Sequence, residues 1–526
     1  MEKTPQTPTT TEKSWQERAL KAEARVELLS HEVDFLRSKL NLAAAKRFGS
    51  SSEKTNPDQL GLFEDAFNEA EATAELFAPE PELITVPEHT RKKTRSKKGA
   101  SLEGLPENII EHRLPKEELA CSCCGQERHV INQEITHELR YVPASLSIDV
   151  HKQYIYGCRN CEANSDGETP FIVAAPKPKR AFPGSIASPS ITAAIIDEKF
   201  VQGVPYYRQE KQWERRGCAI SRQNMANWVI HAGKVWFEPI YEHMKALLLR
   251  QNLIHADETT VQVLREQGRK AESKSYMWLY RSGRYDQNIV LYEYRPSRAG
   301  EHPKEFLKGF QGYLVTDGYS AYTGISPEII NAGCFAHARR GFTDAIKAAG
   351  KNKNTKSAEG LAFCNQLFEF EKKWHDLDPQ ERYEQRLIHS KPVLAAFLAW
   401  LKTTGELTVP KSHLAKAINY CLNQWDALNI FLLDGRIPID NNAAERAIRP
   451  FVIGRKNFLF CNTPNGAKAS AITYSLVETA KENGLKPYDY LEYLLEELPN
   501  ADLTDLERFM PWSGALPERC HTPKKK

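Results

Sequence analysis

Two apolar, strand-like runs of this chain each end on an aspartate: LIHADETT carries Asp257 and GYLVTDGYSAY carries Asp317. A third segment, IPIDNNAAERAIRP, sets Glu445 just inside a helix start. An acid at the end of each of two strands and a third on a helix can converge on a pair of divalent cations. Hard cations such as Mg²⁺ take carboxylate oxygens and keep positions open for substrate phosphates. Two of them about 3.5–4 Å apart stabilise both the attacking and the leaving oxygen of an in-line phosphoryl displacement. The pattern points to phosphodiester chemistry, with Asp257, Asp317 and Glu445 as catalytic groups and as ligands of two Mg²⁺ ions.

Each acid also has an ordinary structural reading. Asp257 runs into Glu258, Thr259 and Thr260 and can simply end a strand. Asp317 precedes Gly318, and Asp-Gly is a common turn dipeptide. Asn442-Ala-Ala-Glu445 fits a capping box, and Asp440, which follows an apolar run, competes as the third ligand. The joint pattern of strand-Asp, strand-Asp and helix-Glu favours the functional reading.

At 526 residues the chain exceeds one hydrophobic core and is expected to split into several domains. Its net charge of +3 averages over opposite blocks: residues 64–82 carry seven acids and no base, residues 91–98 six bases and no acid. The basic block is either a phosphate-contacting arm or a solvated linker. There is no signal-peptide core and no run of about 18 apolar residues, so the expectation is a cytoplasmic, nucleoid-associated protein with no membrane contact. From Trp15 a 4-3 repeat runs through Ala19, Ala22, Val26, Leu29, Val33, Leu36, Leu40 and Ala43. That period predicts a coiled coil and a homo-oligomer; the alternative is one amphipathic helix packed on its own chain.

Cys121 and Cys124, then Cys158 and Cys161, form two CxxC pairs. Two such pairs supply four thiolates for a closed, structural Zn²⁺ site, here of the zinc-ribbon kind. The alternatives are a redox dithiol or free buried cysteines. Further on, VPYYRQEKQWERRG and AISRQNMANWVIHAGKVW read as two helices around a turn at Gly217, the second capped by Ser221. That is helix-turn-helix spacing. It would present Arg222, Gln223 and Asn224 to DNA; an ordinary αα-hairpin, with Tyr206, Trp213, Met225 and Trp228 inside, fits equally.

Several motifs occur in an order that resembles the insertion sequence 66 family of transposases, a branch of the DDE transposases. They are KRFGSSSEK, the two CxxC pairs, VPYYRQ, HADET, TDGYSAY, CFAHARR, DNNAAERAIRP, GRKNFLF and SLVETAKENGLKPYDYL. The likeness runs from about residue 26 to 499, and all three acids stand where that family has its catalytic ones. It implies metal-dependent cleavage and strand transfer at the ends of a bacterial insertion sequence, with element-end and target DNA as partners. It also implies small accessory proteins encoded by the same element. A catalytically inactive, zinc-containing DNA-binding protein derived from a transposase is the alternative, and a nuclease that cuts without joining is a third.

The run from NLIHADETTVQVL to IINAGCFAHARRGF reads as β-β-β-α-β-α-β, a ribonuclease H-like core in an α/β multidomain chain. In that topology the first and fourth strands lie side by side, which would bring Asp257 and Asp317 together. The distance in sequence from Asp317 to Glu445 implies a helical insertion with Trp374, Trp400 and Trp425 as core anchors. The expected division is a tail and coiled coil (1–47), a charged linker (48–105), a zinc module (106–175) and a helical module (176–250). Then follow the first part of the core (251–343), the insertion (344–436), the acid-bearing helix with the C-terminal helices (437–500), and a tail (501–526). His337, Arg339 and Arg340 are expected close to the acids. Arg446, Arg449, Arg455 and Lys456 are expected to form a basic rim around Glu445 that contacts DNA phosphates.

Overall fold

The computed structural model describes residues 108–110, 123, 126, 145–157, 172–349 and 355–523. Among them, 177–522 form one compact unit and those between 108 and 176 belong to a second. In the second unit β1 (Ile155–Gly157) and β2 (Ile172–Ala174) pair antiparallel, with Tyr156 opposite Val173. Cys121, Cys124, Cys158 and Cys161 lie outside the described residues, as do the heptad-patterned segment and the charged linker. Cys123 is described, and it is free and exposed.

The larger unit opens with α1 (Pro189–Ile196), α2 (Tyr206–Arg215), α3 (Arg222–His231) and α4 (Glu238–Leu248). Gly217 ends the first arm of the α2–α3 pair with a φ of +84°, a conformation that glycine takes without strain. Ser221 caps α3 by accepting the Asn224 N–H at 3.2 Å, satisfying a donor the helix leaves free. Trp213, Met225 and Trp228 are buried between the helices.

A five-stranded sheet follows: β3 (Leu253–Gln262), β4 (Lys274–Ser282), β5 (Val290–Arg295), β6 (Gly312–Val315) and β7 (Ile329–Ala332), in the order β5-β4-β3-β6-β7. β3, β4 and β5 run antiparallel, whereas β3 pairs with β6 and β6 with β7 in parallel. Leu253, Ile254 and Ala256 are all buried, the run expected of a strand covered on both faces. α5 (Glu301–Phe306) crosses from β5 to β6. The helix expected between β6 and β7 is only a 3₁₀ turn over Ser320–Tyr322. Gly318 and Gly324, both with positive φ, bracket it and leave room for a single turn.

After β7 comes α6 (Phe335–Ala349), and then the helical block α7 (Lys356–Lys373), α8 (Pro379–Gln385), α9 (Lys391–Leu407), α10 (His413–Asn423) and α11 (Trp425–Asn429). Phe335, Phe342, Leu367, Phe397, Ile418 and Phe431 of this region share one apolar core with Leu253 and Val315 of the sheet. Trp374 is buried, whereas Trp400 and Trp425 lie half-buried at the core margin. The chain ends in α12 (Asn442–Phe458), α13 (Pro464–Glu482) and α14 (Pro487–Glu497). α13 covers the free edge of β5: Tyr292 N–H donates to Ser475 Oγ at 2.8 Å and Val290 N–H to Thr479 Oγ1 at 3.0 Å. An edge strand so covered offers no template for another chain. Among the described residues no helix is long and apolar enough to cross a membrane.

Candidate active site

β3 is the central strand, and it carries Asp257 opposite Leu279 of β4. On its other side, Leu253–His255 pair with Tyr313–Val315 of β6. Continuing that register two residues sets Asp317 level with Asp257. The third acid arrives on α12, whose first turn is pinned to the same strand. Asn441 Nδ2 donates to the Ala256 carbonyl at 2.8 Å, and its Oδ1 lies 2.9 Å from His255 Nδ1. Burial lowers the pKa of His255 to about 4, so the imidazole is neutral and serves as a structural link.

Asp257 feels the other acids. Burial raises the Asp257 carboxyl well above the usual range, and the charges of Glu258, Asp317 and Glu445 raise it further. Glu445 differs. Burial pushes its carboxyl up, but a hydrogen bond from His337 and the charge of Arg340 outweigh that and hold it below its ordinary value. His337 Nε2 and Arg340 Nη2 lie 3.3 and 3.5 Å from Glu445 Oε1. The donor set is all carboxylate oxygen, the chemistry that Mg²⁺ takes, and a divalent cation would relieve the repulsion that raises Asp257. With Glu445 turned to His337 and Arg340, no three His, Cys, Asp or Glu side chains among the described residues converge on one metal position. The donor chemistry fits the cation.

Asp440 is occupied otherwise. Its carboxylate accepts the Asn442 N–H at 3.0 Å and the Asn442 side-chain amide at 2.7 Å. With Asn442 so engaged, and Asn441 making no side-chain cap bond, the capping box from Asn442 to Glu445 does not form. Glu258, which in sequence is only the neighbour of Asp257, proves to be a joint. It accepts the Tyr322 hydroxyl at 2.6 Å and the Arg298 Nε at 2.7 Å. Arg298 in turn lies 3.6 Å over the Tyr319 ring, and the Tyr319 N–H donates to Asp317 Oδ1 at 2.9 Å. The loop bearing Asp317 is thereby tied to the strand bearing Asp257. Tyr420, from the helical block, donates its hydroxyl to the Asp317 carbonyl at 3.0 Å. Tyr322 closes the TDGYSAY motif that carries Asp317, but no sequence spacing marks Arg298 or Tyr420, because each reaches the site from a separate element.

Of the basic residues, Arg340 reaches Glu445, whereas Arg339 is exposed and stacks on Phe368 at 5.4 Å. Arg446 is exposed beside the acid, and Arg449 is half-buried, its Nε without a hydrogen-bond partner among the described residues. Arg455 instead bonds the Thr259 and Thr260 hydroxyls at 3.2 and 3.0 Å, and Lys456 is exposed in the last turn of α12. At 1.5 Å per residue these two sit roughly 15 Å along the helix from Glu445. The four side chains line α12 and do not ring the acid. Arg222, Gln223 and Asn224 are exposed on the first turn of α3.

A family described as Transposase IS66 family matches residues 184–469, the stretch that bears the whole sheet and all three acids. The chain belongs to the IS66 transposase family. Its other parts match in order: an IS66 C-terminal element at 475–512, a zinc-finger binding domain of transposase IS66 at 118–162, and Transposase C of IS166 homeodomain at 36–110. Among relatives, the uncharacterized protein y4qI of Sinorhizobium fredii is 32% identical, over 80% of this chain and 78% of its own length. The uncharacterized protein y4jD of the same organism is 29% identical, over 81% of this chain and 85% of its own. The chain is also similar, at 12% identity and a TM-score of 0.35, to the Drosophila P element transposase in its strand transfer complex. That likeness covers 55% of this chain and 92% of the other.

Proposed function

We propose that this member of the IS66 transposases cleaves the ends of its element and joins them to target DNA, using Asp257, Asp317 and Glu445 in a ribonuclease H-like core. The observation that carries the reading is the gathering of acids from β3, the end of β6 and α12 around Asp257, whose buried carboxyl is raised further by the charges of Asp317 and Glu445. Bound Mg²⁺ would polarise the scissile phosphodiester and lower the pKa of the attacking water. Asp257 and Asp317 would hold it from a rigid sheet, with Glu258, Tyr322 and Arg298 fixing their relation. His337 and Arg340 favour the ionised Glu445 carboxylate, and Arg340 with Arg339, Arg446 and Arg449 would place cations where DNA phosphates pass. After cleavage, the freed 3′ hydroxyl would attack a target phosphodiester, giving up its proton as the new P–O bond forms and the target strand's 3′ oxygen leaves as a hydroxyl. Arg222, Gln223 and Asn224 would contact DNA from α3, and the four cysteines of the zinc-finger region would hold a structural Zn²⁺.

Asp257→Asn, Asp317→Asn and Glu445→Gln each keep size and remove one charge. Each alone is expected to lower Mg²⁺-dependent cleavage of an element-end duplex by about 10³-fold or more, without adding in combination, as residues of one catalytic unit do. DNA affinity in a gel-shift assay is expected to persist, because it rests on cations elsewhere. Asp440→Asn is expected to cut nearly as wild type. Normal cutting by Glu445→Gln with loss in Asp440→Asn would reassign the third acid.

A further inference from the structure

The proposed reaction makes no use of the last two residues of GRKNFLF, Leu459 and Phe460, at the C-terminal end of α12. Leu459 has φ 65° and ψ −51°, and the Phe460 N–H donates to the Phe458 carbonyl at 2.8 Å. This is a γ-turn with positive φ at its centre, a rare and strained turn, and a bulky residue there is an outlier. The turn is gripped on both sides. Leu459 N–H donates to the Arg455 carbonyl at 2.7 Å, Cys461 N–H to the Gln262 carbonyl at 2.9 Å, and Leu264 N–H to the Cys461 carbonyl at 3.0 Å. Strain of this kind persists where the surroundings over-determine it, and it gathers at functional sites.

What the turn achieves is exposure. Leu459 is 64% and Phe460 44% exposed, side by side on a rigid corner. Cations flank them: Arg455 and Lys456 in the last helical turn, and exposed Arg265, whose N–H donates to the Asn462 carbonyl at 3.0 Å. Two side chains fall far short of the roughly 800 Å² per partner that a stable protein interface buries. A small apolar tip among cations suits DNA, into which Leu and Phe enter as wedges between base steps. α12 links the tip to Glu445 across roughly 20 Å at 1.5 Å per residue, about six base steps at 3.4 Å each.

We propose that Leu459 and Phe460 form a wedge that enters the DNA duplex and unstacks one base step about six base pairs from the scissile phosphate. This rests on the DNA-cleaving reading above and adds to it a site of DNA distortion.

The test uses the full chain and a duplex carrying the DNA that flanks its coding sequence, with 2-aminopurine placed at successive positions. Wild type is expected to raise fluorescence several-fold over one or two adjacent positions only. Phe460→Ala and Leu459→Gly are expected to lose that rise and to cut on the order of tenfold more slowly. A mismatch built into the same step, already unstacked, is expected to restore the rate of both. Glycine is at home at this φ, so Leu459→Gly is expected to melt no lower than wild type, which separates loss of the wedge from loss of the fold. Cutting by wild type with no fluorescence change at any position, or cutting by Leu459→Gly at the wild-type rate, would overturn the wedge and leave the nuclease reading standing. A fall in oligomeric mass in the variants, with the fluorescence rise kept, would assign the tip to a second copy and overturn it too. Failure of wild type to bind or cut any flanking duplex overturns the underlying reading and the wedge with it.

Discussion

Single side chains in this protein are set by what surrounds them, and charge shows it best. Asp257 and Glu445 bear the same group, yet one is raised by burial and then by like charges, and the other is held low against its burial by His337 and Arg340. The same logic governs Arg386, which is fully buried in the helical block. Its guanidinium donates to both carboxylate oxygens of Glu371 at 2.7 Å, and to the carbonyls of Phe431 and Asp434 at 2.6 and 2.9 Å. Removing one partner of a buried pair strands the other charge. Arg386→Met is therefore expected to destabilise by about 3–5 kcal/mol in denaturant unfolding, and Glu371→Gln by less, since the carbonyl bonds remain. A loss under about 1 kcal/mol for Arg386→Met would show that solvent reaches the pair. At this scale the sequence displays the candidate acids but not their supports. Asp257, Asp317 and Glu445 stand at recognisable places, whereas Asn441, Tyr322 and Tyr420 act through contacts between residues far apart in the chain. Arg455 shows a related effect: nearness in sequence along a helix becomes distance along its axis, and its guanidinium bonds Thr259 and Thr260 instead.

Elements were more legible than their supports. The apolar runs before Asp257 and Asp317 mark β3 and β6, and a glycine turn and a serine cap mark α2 and α3, because those signals are local. But β3 continues to Gln262, paired with β4, so Asp257 lies mid-strand and not at the strand end expected of it. The helix expected between β6 and β7 failed because two positive-φ glycines confine the segment to one 3₁₀ turn. Nothing in composition weighs that constraint against helical propensity. The zinc-finger region poses the opposite case: the ligands proposed for it, Cys121, Cys124, Cys158 and Cys161, stand out in the sequence, and their placement lies outside the described residues. Its prediction belongs to the element. Purified protein is expected to carry one zinc per chain by atomic emission. Cys158→Ser with Cys161→Ser is expected to lose it and to leave the segment open to limited proteolysis, since small zinc modules fold on their metal. Unchanged zinc content in that variant would sink the four-thiolate assignment.

At the scale of the whole molecule, the reaction proposed for the chain involves two DNA ends, and one set of acids serves one strand at a time. Two copies that hold each other would bring two ends into one complex. The 3.5-residue seam from Trp15 to Ala43 is the segment whose chemistry suits that task, with apolar a and d positions and Glu, Lys and Arg between them. Deleting residues 1–45 is expected to lower the molar mass in light scattering to that of a smaller assembly. The acids all lie beyond residue 250, so the deleted protein is expected to retain Mg²⁺-dependent cleavage of a single end. Capture of two ends together is where the loss would fall, because linked sites gain about 10²–10⁴-fold in avidity without any new contact. A two-colour assay that scores both ends in one complex measures it directly. If the mass is unchanged, the seam is a helix packed on its own chain, and the link between copies must be sought elsewhere. If the mass falls but two ends are still captured at wild-type concentrations, self-association through the seam serves something other than pairing ends.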